Sequence, residues 1–203
     1  MVHKTDLSNQ QNRAGLALSL INKEGLKVLE LGTGNGELFE ELEKGGFNVT
    51  GIDINIKEHL RKKNVIKHDL NNKLPFKNNT FDVVVGLEIL EHLFNPYETM
   101  KEIRRVLKEG GCAVISMPNS ASLFSRIGQL YEKRLENLDI YWHHHYPSIT
   151  SIRNFVSTQL KIEKEIHIMN FRRLAFLNFL SPLLLRINKD LFSGDFMVKA
   201  RNI

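Results

Sequence analysis

The segment "KVLELGTGNGELF", residues 27–39, constrains the fold more than any other part of the chain. A short apolar run leads directly into Gly32, Gly34 and Gly36, and a helical pattern follows. A strand, a glycine-rich loop and a helix in this order are typical of an open α/β sheet, because glycine lets the backbone approach a ligand closely. The segment therefore predicts a ligand site at the carboxyl end of the first strand.

The rest of the chain continues to alternate strands and helices. Strands are predicted at "NVTGIDI", "NVIKHDL", "FDVVVGL" and "CAVISMP", and helices at "ELFEELEKGG" and "NPYETMKEIRRVLKEGG". Strands that are apolar throughout are buried on both faces, and intervening helices imply parallel crossovers. Residues 25–118 are therefore predicted to form a doubly wound α/β sheet. A helix is expected over residues 8–22 and another at "SITSIRNFVSTQL", with further strands at "KIEKEIHIM" and "DFMVKARNI".

Length and composition narrow the class of protein. A chain of 203 residues with 42% hydrophobic residues predicts a single domain over 1–203, with a core at 20–118 and variable segments at 119–160 and 171–192. The one cysteine excludes an internal disulfide and a multi-cysteine zinc site. The net charge is +5, but the lysines are scattered, so nucleic acid is not the expected partner. A polar amino-terminal segment and the lack of a long apolar run predict a cytoplasmic protein.

Three kinds of ligand use a glycine loop of this type. A P-loop requires Lys-Ser/Thr after the last glycine, whereas Glu37 and Leu38 follow Gly36. A dinucleotide loop places its third glycine one residue later, and here Glu30 and Glu37 would repel the pyrophosphate. A ligand with a cationic centre fits better, because the Glu30 carboxylate would attract it. S-adenosylmethionine, with its sulfonium and ammonium groups, is such a ligand.

Two further acids end the second and third predicted strands. Asp53 lies about 20 residues beyond the glycine loop, where a carboxylate can hold ribose hydroxyls. Asp69 could accept a hydrogen bond from an adenine amino group. Each aspartate could instead be a helix cap or a turn residue. Three acids at successive strand ends favour a common ligand site over three separate turns.

With these motifs the chain resembles the class I S-adenosylmethionine-dependent methyltransferases. It is most similar to the ubiquinone/menaquinone-biosynthesis-like or methionine-biosynthesis-W-like branch. The resemblance covers residues 20–168 and the final strand, and rests on "VLELGTGNGELF", "GIDI", "HDLNNKLPFKNNTFDVVVGLEILEHL" and "RRVLKEGGCAVISMPN". It implies a Rossmann-like, mostly parallel seven-stranded sheet with the last strand antiparallel.

The resemblance also implies the site residues. The glycine loop with Glu30 would hold the methionine end of the donor, Asp53 the ribose and Ile54 the adenine, with Asp69 and Leu70 flanking that ring. Glu88 and the residues before it would lie close to the reacting methyl. The implied cofactor-binding set is Glu30, Gly32, Thr33, Gly34, Asn35, Gly36, Asp53, Ile54, Asp69, Leu70, Gly86 and Leu87.

A weak acceptor such as a hydroxyl also needs a general base. His92 is the first candidate, because histidine titrates near neutral pH, and Glu88 is the second. Glu91 is expected to point away from the site, since it is flanked by leucines of core type. Residues 86–89 read "GLEI" rather than Asn/Asp-Pro-Pro-Tyr, which disfavours a DNA base or an amide as the acceptor.

Two segments remain open to more than one interpretation. His143, His144 and His145 are adjacent and could form a pocket wall or a surface loop; no metal site is predicted, because adjacent residues cannot all face one ion. Residues 174–187 are apolar and contain Pro182, so they could form short covering helices, a lid or peripheral membrane contact facing lipid, or a dimer contact. Pro182 is expected to break this segment.

The sequence thus predicts an S-adenosylmethionine-dependent methyltransferase acting on an O, C or N atom of a small or lipid-like acceptor. The alternatives are a protein or RNA methyltransferase, and a non-catalytic module that binds an adenosyl ligand. A nicotinamide oxidoreductase is the most distant alternative. The acceptor and the oligomeric state are not specified by the sequence.

Overall fold

The fold is built on one seven-stranded sheet. The computed structural model describes residues 13–21, 24–131, 144–145, 147–169 and 180–203. The strand order is β3-β2-β1-β4-β5-β7-β6; β1 to β5 pair in parallel, and β7 runs antiparallel to both of its neighbours. The predicted doubly wound sheet with an antiparallel last strand is therefore confirmed. The strands are β1 Lys27–Leu31, β2 Asn48–Asp53, β3 Val65–Lys67, β4 Phe81–Leu87, β5 Leu107–Pro118, β6 Lys161–Ile168 and β7 Asp195–Arg201.

Helices cover both faces of the sheet. Those described are α1 Arg13–Leu20, α2 Glu37–Lys44, α3 Pro96–Val106, α4 Leu123–Tyr131, α5 Ile149–Ser157 and α6 Ser181–Phe192, with 3-10 turns at Glu58–Leu60 and Leu90–His92. The apolar sides of α1 and α2 pack on one face, and those of α3 and α5 pack on the other. None of the helices in the described ranges is long and apolar enough to cross a membrane.

The helix starts follow from local chemistry. The Asn95 side chain accepts a hydrogen bond from the Glu98 backbone N–H, and Pro96 stands in the first turn of α3, as predicted. The Ser148 hydroxyl accepts from the Ser151 N–H in the same way and begins α5. The predicted helix over residues 8–22 is confirmed for Arg13–Leu20. Ile21 is not helical, and residues 8–12 and 22 lie outside the described residues.

Two predicted boundaries are wrong. The helix expected through Gly111 ends at Val106, because Leu107 already pairs with Phe81 and begins β5. A Cβ at Gly111 would lie 2.9 Å from the Asp82 carbonyl oxygen. Gly111, the last residue of the predicted helix, is therefore required by the close packing of β5 against β4. The third strand stops at Lys67, because the Asp69 carboxylate accepts from the Asn71 N–H at 2.9 Å and turns the chain.

Only the second part of the apolar tail segment lies within the described residues. Pro182 lies in the first turn of α6, where its missing N–H has no cost, and the kink falls at Asn188. The Asn188 side chain accepts from the Leu191 N–H at 2.9 Å and restarts the helix. Residues 174–179 lie outside the described residues, so the predicted break of the segment at Pro182 stays a prediction.

The sheet positions the ligand site at its switch point. The chain proceeds outward from β1 to β3 on one side and returns at β4 on the other, so the carboxyl ends of β1 and β4 lie side by side. In open α/β sheets a crevice forms at this reversal of strand order. The glycine loop follows β1, and Glu88 follows β4 at the same edge.

Candidate functional site

The glycine loop is held by hydrogen bonds to its surroundings. The Gly32 N–H donates to the Ile52 carbonyl at 2.8 Å, and the Gly36 N–H donates to the Thr33 carbonyl at 2.7 Å. All three glycines have positive φ, of 74°, 52° and 83°. A Cβ at Gly32 would lie 2.8 Å from Ile89, and one at Gly36 would lie 2.7 Å from Leu60. At Gly34 no protein atom lies within 4 Å of that position.

Glu30 is the buried acid of the site. Its side chain is 3% exposed, and one carboxylate oxygen, Oε2, has no hydrogen-bond partner among the described residues. Burial, with a smaller contribution from the charge of Asp53, raises the pKa of Glu30 to about 8. A buried carboxyl oxygen without a hydrogen-bond partner is costly, which is typical of a group that a ligand completes.

Asp53 joins the end of β2 to the glycine loop. Its Oδ2 accepts from the Gly34 N–H at 2.9 Å, and its Oδ1 accepts from the Asn55 N–H at 2.8 Å. These bonds fix the orientation of the carboxylate at the switch point. The next residue, Ile54, is 55% exposed, so its apolar side chain is accessible to a flat ring.

Asp69 and Leu70 have structural contacts of their own. One Asp69 oxygen accepts from both the backbone N–H and the side-chain amide of Asn71, each at 2.9 Å. Leu70 packs in the core at 5% exposure, and its carbonyl accepts from the Thr99 hydroxyl at 3.2 Å. Asp69 therefore acts as a turn residue through one of its oxygens, Oδ1, as the alternative interpretation of the sequence had it. A role for either residue beside adenine stays a prediction.

A cavity of about 540 Å³ opens between the glycine loop and the end of β4. Six of the predicted site residues line it: Glu30, Gly32, Thr33, Asn35, Leu87 and Glu88. It is also lined by Arg13, Ala14, Leu31, Glu37 and Leu38. The other predicted residues, Gly34, Gly36, Asp53, Ile54, Asp69, Leu70, Gly86 and His92, lie outside the lining of this cavity.

Glu88 is held in an uncommon backbone conformation. Its φ is 52°, which a non-glycine residue rarely adopts unless its neighbours enforce it. The Ser116 hydroxyl donates to Glu88 Oε1 at 2.8 Å, and the Glu88 N–H donates to the Ser116 carbonyl at 3.1 Å. The Arg13 guanidinium lies 3.6 Å from Glu88 Oε2 and 2.6 Å from Asp195 Oδ2. Sequence reasoning missed Arg13, Ser116 and Asp195, because no local pattern marks them.

Glu91 is buried and is absent from the cavity lining, so the prediction that it points away from the site stays a prediction. Its side chain is 1% exposed, and neither carboxylate oxygen has a hydrogen-bond partner within the described ranges. Burial first, and then the charge of Glu88, raise the pKa of Glu91 to about 8. His92 follows in the same 3-10 turn and is half-buried, and its N–H donates to the Ile89 carbonyl at 3.1 Å.

Two of the three adjacent histidines contact this turn. The N–H groups of His144 and His145 donate to the Glu91 carbonyl at 2.9 and 3.2 Å, and the His144 ring stacks on Phe94 at 4.6 Å. His145 Nε2 lies 3.1 Å from the Leu93 carbonyl oxygen. His143 lies outside the described residues. The described histidines therefore fix the loop beside the site through backbone and ring contacts.

Comparison with known proteins identifies the class. Residues 2–160 match the family described as "Methyltransferase domain", and the chain belongs to that family. One relative is the ubiquinone biosynthesis O-methyltransferase of Maricaulis maris (strain MCS10), 32% identical over 118 residues, which are 52% of this chain and 46% of that protein. Another is cycloartenol-C-24-methyltransferase 1 of Oryza sativa subsp. japonica, 37% identical over 113 residues, which are 49% of this chain and 33% of that protein.

A solved structure supports the same fold. The S-adenosylmethionine-dependent methyltransferase of Mesorhizobium loti superimposes with a TM-score of 0.68 at 18% identity, over 94% of this chain and 99% of that one. The chain spans about half or less of the length of the two relatives named above. The predicted class is confirmed: this is a methyltransferase domain with the seven-stranded fold expected of class I.

Proposed function

We propose that this protein transfers a methyl group from S-adenosylmethionine to an O, C or N atom of a small or lipid-like acceptor. The observation that carries the proposal is the buried Glu30 carboxyl in the wall of the cavity beside the glycine loop, whose Oε2 has no hydrogen-bond partner among the described residues. A cationic ligand there would give that carboxyl both a charge partner and a hydrogen-bond donor, which a phosphate could not.

The residues present fit the methyl donor. Glu30 would attract its ammonium and sulfonium end, and the Asp53 carboxylate, oriented by Gly34 and Asn55, would accept from ribose hydroxyls. Ile54 would cover the adenine ring with apolar surface. When bound, S-adenosylmethionine supplies an electrophilic methyl group on a good leaving group. The protein then has to supply mainly proximity and orientation.

Glu88 and His92 are the proposed groups on the acceptor side. Glu88 lines the cavity, and Ser116 and Arg13 fix its carboxylate from two sides. A carboxylate so held can orient an acceptor hydroxyl or amine and accept its proton. His92 follows in the turn after β4 and is proposed as the general base for an acceptor of low acidity.

The relatives support an acceptor with lipid character. One is named for ubiquinone biosynthesis and O-methylation, and the other for C-24 methylation of cycloartenol. We extend to this chain only what they share, which is an apolar acceptor bearing a reactive oxygen or carbon. Since the two relatives methylate different elements, O- and C-transfer both remain within the proposal, and the sequence adds N-transfer.

A transfer assay tests the proposal. The protein is incubated with tritium-methyl-labelled donor and, separately, with phenols and quinols with and without an isoprenoid chain, a sterol, and simple amines. The expected result is label in the organic extract for an apolar class, and loss of that label in Glu88→Gln and His92→Ala. Label that appears instead in cellular RNA or protein from a lysate, with none in the extract, would contradict the proposed acceptor class.

A further inference from the structure

The large apolar side chains exposed in the described part of the chain are not evenly distributed. Nine such side chains are exposed, and seven of them follow the carboxyl end of a parallel strand or precede β7. The first residue of β7 pairs with Pro118, so β7 begins at the carboxyl end of β5. They therefore lie at the edge of the sheet where the cavity opens. The seven are Ile54, Phe94, Tyr97, Phe124, Ile127, Leu183 and Ile187.

Four of these residues belong to two neighbouring helices, and we call them the α4–α6 surface: Phe124, Ile127, Leu183 and Ile187. Leu183 and Ile187 are one helical turn apart on α6 and are 57% and 67% exposed. Phe124 and Ile127 are 41% and 39% exposed on α4. The rings of Phe124 and Phe192 lie 6.2 Å apart and join the two helices.

Hydrogen bonds join the α4–α6 surface to the edge of the sheet where the parallel strands end. The Asn119 side-chain amide, directly after β5, donates to the Asp190 carbonyl at 2.9 Å and to the Ser193 carbonyl at 2.8 Å. The Asp190 carboxylate in turn pairs with Arg153 of α5 at 2.7 Å. Whatever binds this surface is therefore placed beside the carboxyl ends of the strands, where the cofactor cavity lies.

The charges on the two helices indicate the partner. α4 and α6 carry three exposed cations, Arg126, Arg186 and Lys189. Lys189 lies 3.8 Å from Glu165 of β6, and the single acid of the two helices, Asp190, is paired with Arg153, so Arg126 and Arg186 carry the unbalanced charge. Exposed apolar residues beside unbalanced cations are typical of segments that lie in the interface of an anionic bilayer. A symmetric contact with a second copy would instead bring like charges together.

We infer that the α4–α6 surface docks the protein on an anionic lipid bilayer, so that an apolar acceptor enters the site from the membrane. The inference goes beyond the proposed function, because it concerns a surface and a partner outside the cofactor site. It can also fail separately, since cofactor binding does not require the surface.

Co-sedimentation with vesicles tests the inference on the full chain. Vesicles of phosphatidylcholine alone and of phosphatidylcholine mixed with phosphatidylglycerol are compared at low and high salt. We expect binding to the anionic vesicles that weakens with salt. The key variant is Ile187→Asp, and its matched control is Ile203→Asp, because Ile203 is 72% exposed at the opposite edge of the sheet. The first should lower partitioning about tenfold or more and the second should not.

The electrostatic contribution has its own control. Arg186→Gln should weaken binding to anionic vesicles several-fold, whereas Arg104→Gln, an exposed arginine on α3, should leave it unchanged. Titration of each variant with S-adenosylhomocysteine reports whether the domain is folded and its site intact.

Three results would overturn the inference. They are absence of vesicle sedimentation, equal sedimentation of Ile187→Asp and wild type, and a dimer in light scattering that Ile187→Asp abolishes. The last would assign the surface to a second copy. If vesicle binding fails while the adenosyl ligand still binds, the lipid inference falls and the proposed function stands. The reverse pattern would remove the proposed function alone.

Discussion

Glu30 should release a proton when the methyl donor binds. In the free protein its pKa is raised to about 8 by burial and by Asp53, so at pH 7 about nine in ten molecules carry a protonated Glu30. A cation within ~4–6 Å lowers the pKa of a carboxyl by roughly 1–3 units. The bound protein should then hold Glu30 as the carboxylate, and close to one proton should leave per donor bound at pH 7.

The direction of the pH dependence follows from this release. Because the free carboxyl has the higher pKa, binding tightens as the pH rises towards 8 and becomes constant above it. With a lowering of ~2 units on binding, the association constant should rise roughly tenfold between pH 6 and pH 7.5.

Calorimetry in buffers of different ionisation enthalpy measures the proton count directly. Glu30→Gln is the matched control, because the amide keeps the shape of the side chain but cannot ionise. Glu30→Gln should bind the donor more weakly than wild type at pH 7.5. It should also release nearly one proton fewer per donor bound. Protons released by the donor's own amine contribute equally to both proteins, so they cancel when the proton release of Glu30→Gln is subtracted from that of wild type. Equal proton release by the two proteins would refute the role assigned to Glu30.

Three further changes test the rest of the site. Asp53→Ala should weaken donor binding about tenfold or more in the same titration, through loss of a charge-assisted hydrogen bond of ~1.5–3 kcal/mol; unchanged affinity would remove Asp53 from the ribose role. Gly34→Val should abolish donor binding in a folded protein. Its control is Gly110→Val, because Gly110 also has a positive φ and open space around its Cβ position. Gly110→Val should bind the donor normally, and its melting temperature should fall by about as much as that of Gly34→Val. His92→Ala should bind the donor normally and turn over more slowly; wild-type turnover would leave His92 a structural residue.

Local patterns predicted the fold well, because each strand and its loop carry their own signal. The apolar strands, the glycines and the acids at the strand ends are readable within a few residues. Asp53 is an example, since its partner Gly34 lies only 19 positions away in the same β-α-β unit.

The parts that the sequence did not predict depend on long-range pairing. Ser116 contacts Glu88 across 28 positions, and Arg13 contacts Asp195 across 182. The early start of β5 at Leu107 was not predicted either, because the pairing of Leu107 with Phe81 overrides a helical pattern that is locally continuous.

The most direct test of the account is a calorimetric titration of the protein with S-adenosylmethionine and with S-adenosylhomocysteine, with NADH run beside them. The account predicts micromolar binding of both adenosyl ligands and none of NADH, since Glu37 repels a pyrophosphate and NADH offers Glu30 no ammonium group. Binding of NADH, or of neither adenosyl ligand, would contradict the claim that this cavity is built for a cationic methyl donor.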